Sequence, residues 1–307
     1  MADILPGIQY VIDNSTLVKI NKDKIKEFCD KFDKKEVKHW VDEAPFDISK
    51  LDDDDKLNFL FIFNSLSFSY WGDPKWTIES GHDGSWALIE CLGMAVDKIK
   101  PEYLVKITKQ DFDDILKGNI RIPLFQERYN IMNEVSTVLI KKFDGEFRNV
   151  VEQAEGNALK LLDLIINNFP SFTDVRIYKE KQIMFYKRAQ LLVADIFQMF
   201  KGKGYGDLEN VEKLTACADY KLPQILRKLG ILEYSKELAE KIDSMIELKQ
   251  GSEEEVEIRA ATIWAIELMK EQISGVDAIH INDHIWLLSQ KKSPDDKPYH
   301  RVRGICY

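Results

Sequence analysis

Apolar side chains recur at helical spacing along nearly the whole chain, and this periodicity constrains the fold more than any other feature. Ile25, Phe28, Cys29 and Phe32 fall at i, i+3, i+4 and i+7, so residues 22–40 read as an amphipathic helix. The same spacing predicts helices over 84–98, 123–143, 146–168, 178–201, about 252–270 and 276–291. Some boundaries are legible as well. Asp144-Gly145, Pro170 and the glycine-rich Gly202–Gly206 stretch end three of these segments. Ser252 followed by Glu255 forms a capping box. Strand signals are few. Residues 59–63 (FLFIF) suit a short buried strand or a helix, and periodicity does not choose between them. Asp52 to Lys56 reads as a solvated acidic loop or a helix start, and residues 298–307 read as extended. No repeat, low-complexity linker or break in composition divides the chain. The expected architecture is one compact, mainly α-helical domain over residues 1–307.

Composition narrows the function. The 307 residues are 45% hydrophobic and 11% aromatic, enough for a large packed core. The formal net charge of −9 disfavours a general grip on nucleic-acid phosphates. No apolar run approaches the length of a membrane span, and the first residues lack the layout of a secretory signal. Cys29, Cys91, Cys217 and Cys306 lie far apart with no CxxC pair, so they read as reduced thiols in a cytoplasmic protein. Nucleotide-binding and hydrolase signatures such as GxGxxG, GxxxxGK[ST], GxSxG and HExxH are missing.

Five constellations carry possible chemistry. His280, Asp283 and His284 share one face of a predicted helix and imitate a metal site, but no fourth ligand is suggested nearby. Caps and hydrogen bonds around Trp286 are the plainer reading, and no metal or other cofactor is expected. Phe63 to Asp73, with Trp76 and Trp86, mixes aromatic rings with amides, hydroxyls and a carboxylate. That mixture suits a planar heterocycle, whose faces stack and whose edges need polar partners; it also suits an ordinary aromatic core. Asn64, Phe68, Trp71, Asp73 and Trp86 are its candidate substrate contacts. Lys187 and Arg188 flank a buried stripe of Phe185, Ala189, Leu192, Ile196 and Met199. Asp219, followed by Tyr220 and a proline-led turn, is either an N-cap for a helix from about Pro223 or a buried acid with a task. In the ending, Arg301 and Arg303 point the same way if extended, and with His300 they form a candidate phosphate clamp beside Tyr299.

Taken together, the segments FYKRAQLLVADI (185–196), CADYKLPQ (217–224), EVEIRAATIWAIELM (255–269), PLFQERYNIMNEVSTVL (123–139) and PYHRVRGICY (298–307) resemble the queuosine salvage family. The combination of KRAQ, ADYxxPQ and YHRxRxxxY is specific and spans nearly the whole chain in order. The resemblance implies an α-helical fold similar to the helix-hairpin-helix DNA glycosylases. It implies hydrolysis of the N-glycosidic bond of queuosine 5′-phosphate, or of queuosine, to release queuine for tRNA-modification salvage. The family's essential acid matches Asp219 and its lysine matches Lys187; the aromatic segment after Asn64 is similar to its base pocket. Lys187, Arg188, Arg301 and Arg303 are then the candidates for a 5′-phosphate. His284 stands where many relatives carry an aromatic residue, which weighs further against a metal. The expected partner is this small molecule, with neither nucleic acid nor membrane. The rival readings are a nucleic-acid base glycosylase and a non-catalytic binder of the modified base. Asp219 separates the second rival, because a carrier has no use for a carboxylate at the sugar carbon.

Overall fold

The computed structural model describes residues 3–307. Fourteen α-helices dominate the described residues, and the six short strands pair only in twos. The chain opens with α1 (Leu5–Asn14), β1 (Val18–Ile20) and α2 (Lys22–Lys31). The Asn21 side chain caps α2 by accepting from Lys24 N at 3.1 Å. Periodicity predicts this helix to residue 40, but it stops at Lys31. The Asp33 carboxylate accepts from Lys35 N at 2.9 Å and starts a competing turn. Next come α3 (Asp53–Leu66), α4 (Gly84–Met94), α5 (Pro101–Leu104), α6 (Lys109–Ile115) and α7 (Phe125–Lys142). The acidic run is a helix start: Asp52 accepts from Asp55 N at 2.8 Å, and three aspartates occupy the positive first turn of α3. The ambiguous 59–63 run is therefore helical. Every residue from Leu57 to Leu66 is buried, so α3 has no polar face to betray its period.

The segment predicted as one helix over 146–168 is two, α8 (Arg148–Gln153) and α9 (Ala158–Asn168). Glu155 and Gly156 take positive φ (52° and 69°). Asn157 then caps α9, accepting from Leu159 N and Lys160 N at 3.0 Å. The segment predicted as helix over 178–201 begins instead as a hairpin. β2 (Val175–Tyr178) and β3 (Lys181–Met184) pair antiparallel through Lys179 and Glu180, both left-handed, with φ of 44° and 68°. Helix α10 (Lys187–Met199) starts only after left-handed Tyr186. A four-residue strand is too short for its alternation to compete with the helical pattern beside it.

The rest comprises α11 (Lys221–Lys228), β4 (Leu232–Tyr234), α12 (Lys236–Asp243), β5 (Glu247–Leu248), α13 (Glu253–Gln272), α14 (Ala278–Gln290) and β6 (Arg301–Val302). Helix α13 is the shaft of the molecule: Glu255 through Ile263 are all buried, and α1, α2, α11 and α14 pack against it. β1 pairs with β4, joining the first fifth of the chain to its last third. The ending is extended, as predicted. β6 lies parallel to β5, and Ser69 N donates to Tyr307 O at 2.9 Å.

Buried charge is abundant and ordered. Arg259 on α13 forms a two-pronged pair with Asp174 (3.0 and 2.6 Å) between the rings of Phe185 and Tyr307. Glu255 lies 3.6 Å from Arg259 and 3.4 Å from Arg176. Arg128 donates to the carbonyls of Pro123, Leu66 and Phe68, bracing the chain where it leaves α3. No helix of the described residues is long and apolar enough to cross a membrane.

Candidate active site

The chain leaving α3, the start of α10, the turn into α11, helix α14 and the ending converge on one cleft. Its volume is about 1100 Å³ including the open mouth. Phe68, Tyr70, Trp71 and Trp76 come from the segment after α3, Tyr220 from the turn, Trp286 from α14 and Tyr299 and Tyr307 from the ending. The rings of Tyr220 and Tyr299 lie 4.7 Å apart at 37°. A planar ligand is well served by such walls.

Asp219 lies against this cleft, 9% exposed. Its Oδ1 accepts from Lys221 N at 2.7 Å and Leu222 N at 3.0 Å, the first donors of α11. The side chain does hold a helix start, as one reading from sequence expects, but the helix begins at Lys221 rather than near Pro223, and Tyr220 takes the cap position. One oxygen holds the helix start, and Oδ2 takes no hydrogen bond from the described residues. Two backbone donors fix the carboxylate without neutralising it. Lys187, the first residue of α10, also lines the cleft and is 6% exposed. Burial lowers its pKa, against the opposing pull of the Asp219 charge. No ion pair within 4.0 Å holds its Nζ among the described residues. Lys221 is in a similar state. Burial lowers its pKa, and its ammonium rides 5.1 Å from the Tyr299 ring centre. Nearer the rim, Lys75 and Lys292 approach Asp83 at 3.8 and 3.1 Å. These three lysines against one aspartate leave that side of the cleft positive.

The inner polar wall comes from α14. Asn282 Oδ1 accepts from Cys217 N at 2.9 Å, tying α14 to the segment that carries Asp219. Asp283 lines the cleft beside it, and burial pushes its carboxyl up to about 6.

A sequence profile of the queuosine salvage proteins matches residues 48–307. The chain belongs to the queuosine salvage family. The queuosine 5′-phosphate N-glycosylase/hydrolase of Sphaerobacter thermophilus is 35% identical over 323 aligned positions, covering 99% of this chain and 97% of its own length. The protein of the same name from Mus musculus is 36% identical over 280 positions, 83% of each chain. That from Schizosaccharomyces pombe is 28% identical over 325 positions, 95% of this chain and 92% of the relative.

Within this queuosine salvage protein, six of the candidate catalytic and substrate-contact residues named from sequence meet at the cleft: Phe68, Trp71, Lys187, Asp219, Tyr220 and Tyr299. The others lie outside its lining. Asn64 is buried and donates to Asp195 Oδ2 at 2.8 Å. Asp73 is exposed on the turn after Trp71. Trp86 packs edge-on against Trp286 at 5.0 Å and so supports a wall rather than forming it. Arg188 is 1% exposed and engaged with the carbonyls of Ser65 and Ser171. Arg301 and Arg303 do point the same way, both over the Trp71 ring at 5.6 and 4.1 Å, and Arg303 pairs with Glu247 at 3.2 Å. His300 does not join them. It is 2% exposed against Tyr307, and burial lowers its pKa to about 3, so it brings no positive charge to a clamp.

The metal-like trio also comes apart. His284 packs edge-on against Phe32 at 4.9 Å while Asp283 turns to the cleft, and no group of three or more His, Cys, Asp or Glu among the described residues is placed to hold a metal. Sequence reasoning missed Asn282, Trp286, Ser289 and Gln290 as a cleft-lining stripe. The signal was present: they sit at i, i+4, i+7 and i+8 of one helix and so share a face.

Proposed function

We propose that this queuosine salvage protein hydrolyses the N-glycosidic bond of queuosine 5′-phosphate, releasing the 7-deazaguanine base queuine and ribose 5-phosphate. The observation that carries this reading is Asp219: a buried carboxylate locked by two backbone donors, with its second oxygen unbonded in an aromatic cleft. Breaking a base–sugar bond builds positive charge on the sugar. A carboxylate fixed in advance stabilises that charge without reorganising, and it accepts a proton from the attacking water. The names carried by the relatives from bacteria, animals and fungi support the same substrate.

The remaining residues fall into roles around that step. Tyr220, Trp71, Trp286 and their neighbours sandwich the base. Lys187, buried beside Asp219 and in no ion pair within 4.0 Å among the described residues, draws the ribose phosphate inward. Lys221, with Lys75 and Lys292 at the rim, receives the 5′-phosphate; these are not the arginines expected from sequence. A mononucleotide suits a cleft with one small positive side in a chain of net charge −9. Residues 1–307 act as one domain, organised around the buried α13 shaft. A cytoplasmic location fits four cysteines that form no disulfide.

The deciding experiment is incubation with queuosine 5′-phosphate, queuosine and guanosine monophosphate, followed by chromatography for free base. Queuine released from the queuosine compounds and no guanine from guanosine monophosphate is the expected result. A folded protein that frees no base from any of them overturns the reading.

A further inference from the structure

A 7-deazapurine has no N7 to protonate, yet the electron pair of its broken C1′–N9 bond must be neutralised somewhere on the ring. Asp219 takes a proton from water in the reaction proposed above and supplies none. A second carboxyl group lines the same cleft. Asp283 is 3% exposed and accepts from Gln198 Nε2 and Asn282 Nδ2, both at 3.1 Å. Behind it, one imidazole nitrogen serves two acids. His39 Nε2 lies 3.9 Å from Asp283 Oδ2 and 3.3 Å from Asp195 Oδ1.

The two acids are not equivalent. Asp195, with no exposed surface, also receives Trp40 Nε1 and Asn64 Nδ2, each at 2.8 Å. It holds three donors and does not line the cleft. Asp283 holds two neutral amides and the more distant side of the imidazole, and it does line the cleft. A buried cluster of two carboxyls and one imidazole retains protons, and they reside on the carboxyl that accepts fewer hydrogen bonds and on the ring.

We propose that Asp283 is the general acid of this site, with His39 and Asp195 as the residues that position it and restore its proton. The proposal rests on the N-glycosidase reading. As the C1′–N9 bond breaks, its electron pair stays with the base and the Asp283 proton moves to a base ring nitrogen. The water oxygen bonds C1′, and the proton water sheds goes to Asp219. Asp283 is recharged through the His39 Nε2–H, His39 regains a proton from solvent, and Asp219 returns its proton to solvent, so water is the sole reagent consumed.

The titration follows from the same geometry. Burial raises the Asp283 carboxyl to about 6, while the His39 charge pulls it down and Asp195 pushes it up. Burial works against a charge on His39, but the Asp195 hydrogen bond and the charges of Asp283, Asp195 and Asp42 outweigh it and raise its pKa. The other titratable neighbours of the cluster are Cys217 before α11, Lys187 at the start of α10 and His280 on α14 itself. A general acid works protonated. Base release therefore falls as pH rises through the pKa of Asp283.

The test compares two leaving groups: base from queuosine 5′-phosphate, and nitrophenolate, which leaves without a proton, from 4-nitrophenyl β-D-ribofuranoside 5-phosphate. Asp283→Asn is expected to slow base release on the order of 100-fold or more and to change nitrophenolate release by less than about threefold. Asp219→Asn slows both. In the wild-type protein, kcat for base release declines at high pH while kcat for nitrophenolate stays level there. His39→Gln removes the charge that lowers the Asp283 pKa, so it moves that decline to higher pH. Equal losses on both substrates for Asp283→Asn, a higher KM with kcat intact, or identical wild-type pH profiles overturn the proposal. The wild-type profiles decide the matter even if the variant does not fold. A wild-type protein that frees no queuine at all overturns the function instead.

Discussion

Two sets of buried charges lie side by side in this molecule, joined where Lys187 N donates to Asp174 Oδ2 at 3.2 Å. In the first, Asp174, Arg176, Glu255 and Arg259 each face an opposite charge at 3.6 Å or less. The pairing wins over burial there. Asp174 is held below, and Arg259 well above, its ordinary pKa, although burial alone pushes each the other way. In the second set, Lys187 and Lys221 have no ion pair within 4.0 Å among the described residues, and burial wins, lowering both. Desolvated charge that is paired holds the fold together. Desolvated charge left unpaired beside a cavity is held ready for a ligand.

The largest effect that tests this contrast is on stability. Arg259→Met leaves Asp174 and Glu255 with Arg176 alone between them and is expected to destabilise the protein by about 3–5 kcal/mol, read from denaturant midpoints. A loss under about 1 kcal/mol breaks the comparison, because the first set would then be no more structural than the second. Next is Asp219→Asn. The amide oxygen still accepts from Lys221 N and Leu222 N, so stability falls by less than about 1 kcal/mol. Turnover falls on the order of 100-fold or more. Melting and single-turnover base release, measured on one sample, separate the two roles, and full release by the folded variant ends the catalytic assignment. The finest distinction is between cations. Titrated into the Asp219→Asn background, Lys221→Met weakens nucleotide binding by about 1.5–3 kcal/mol and leaves the nucleoside unaffected. Arg303→Ala, exposed and already paired with Glu247, changes either by less than about 1 kcal/mol. The reverse order returns the phosphate to the arginines of the ending.

The readable parts of the sequence were those governed by local rules. Asp52 starts its helix and Ser252 caps its own as their positions predict, and Asp219 and Lys187 were found because they sit in specific motifs. What escaped depends on tertiary partners. Nothing local tells that Arg188 braces the carbonyls of Ser65 and Ser171, or that His300 is sealed against Tyr307. The β2–β3 hairpin was hidden because Lys179 and Glu180 adopt left-handed backbone without glycine or asparagine to announce the turn. His39 drew no notice as a lone histidine. Its part in the site arises only when α10 and α14 bring Asp195 and Asp283 to one ring nitrogen.

A cleft whose walls run from Trp40 to Tyr307 also sets an order of events in time. Helices form from neighbours within microseconds, but no wall of this cleft meets another without closing a long loop, and β1 finds β4 across more than half the chain. Each closure alone adds little, since its entropy grows only with the logarithm of length. Requiring several at once makes the cleft a late product of folding, after most of the helical signal is already in place. Capacity to bind a base is thus a clock for the last stage of assembly, and a partly folded chain carries helices but no site.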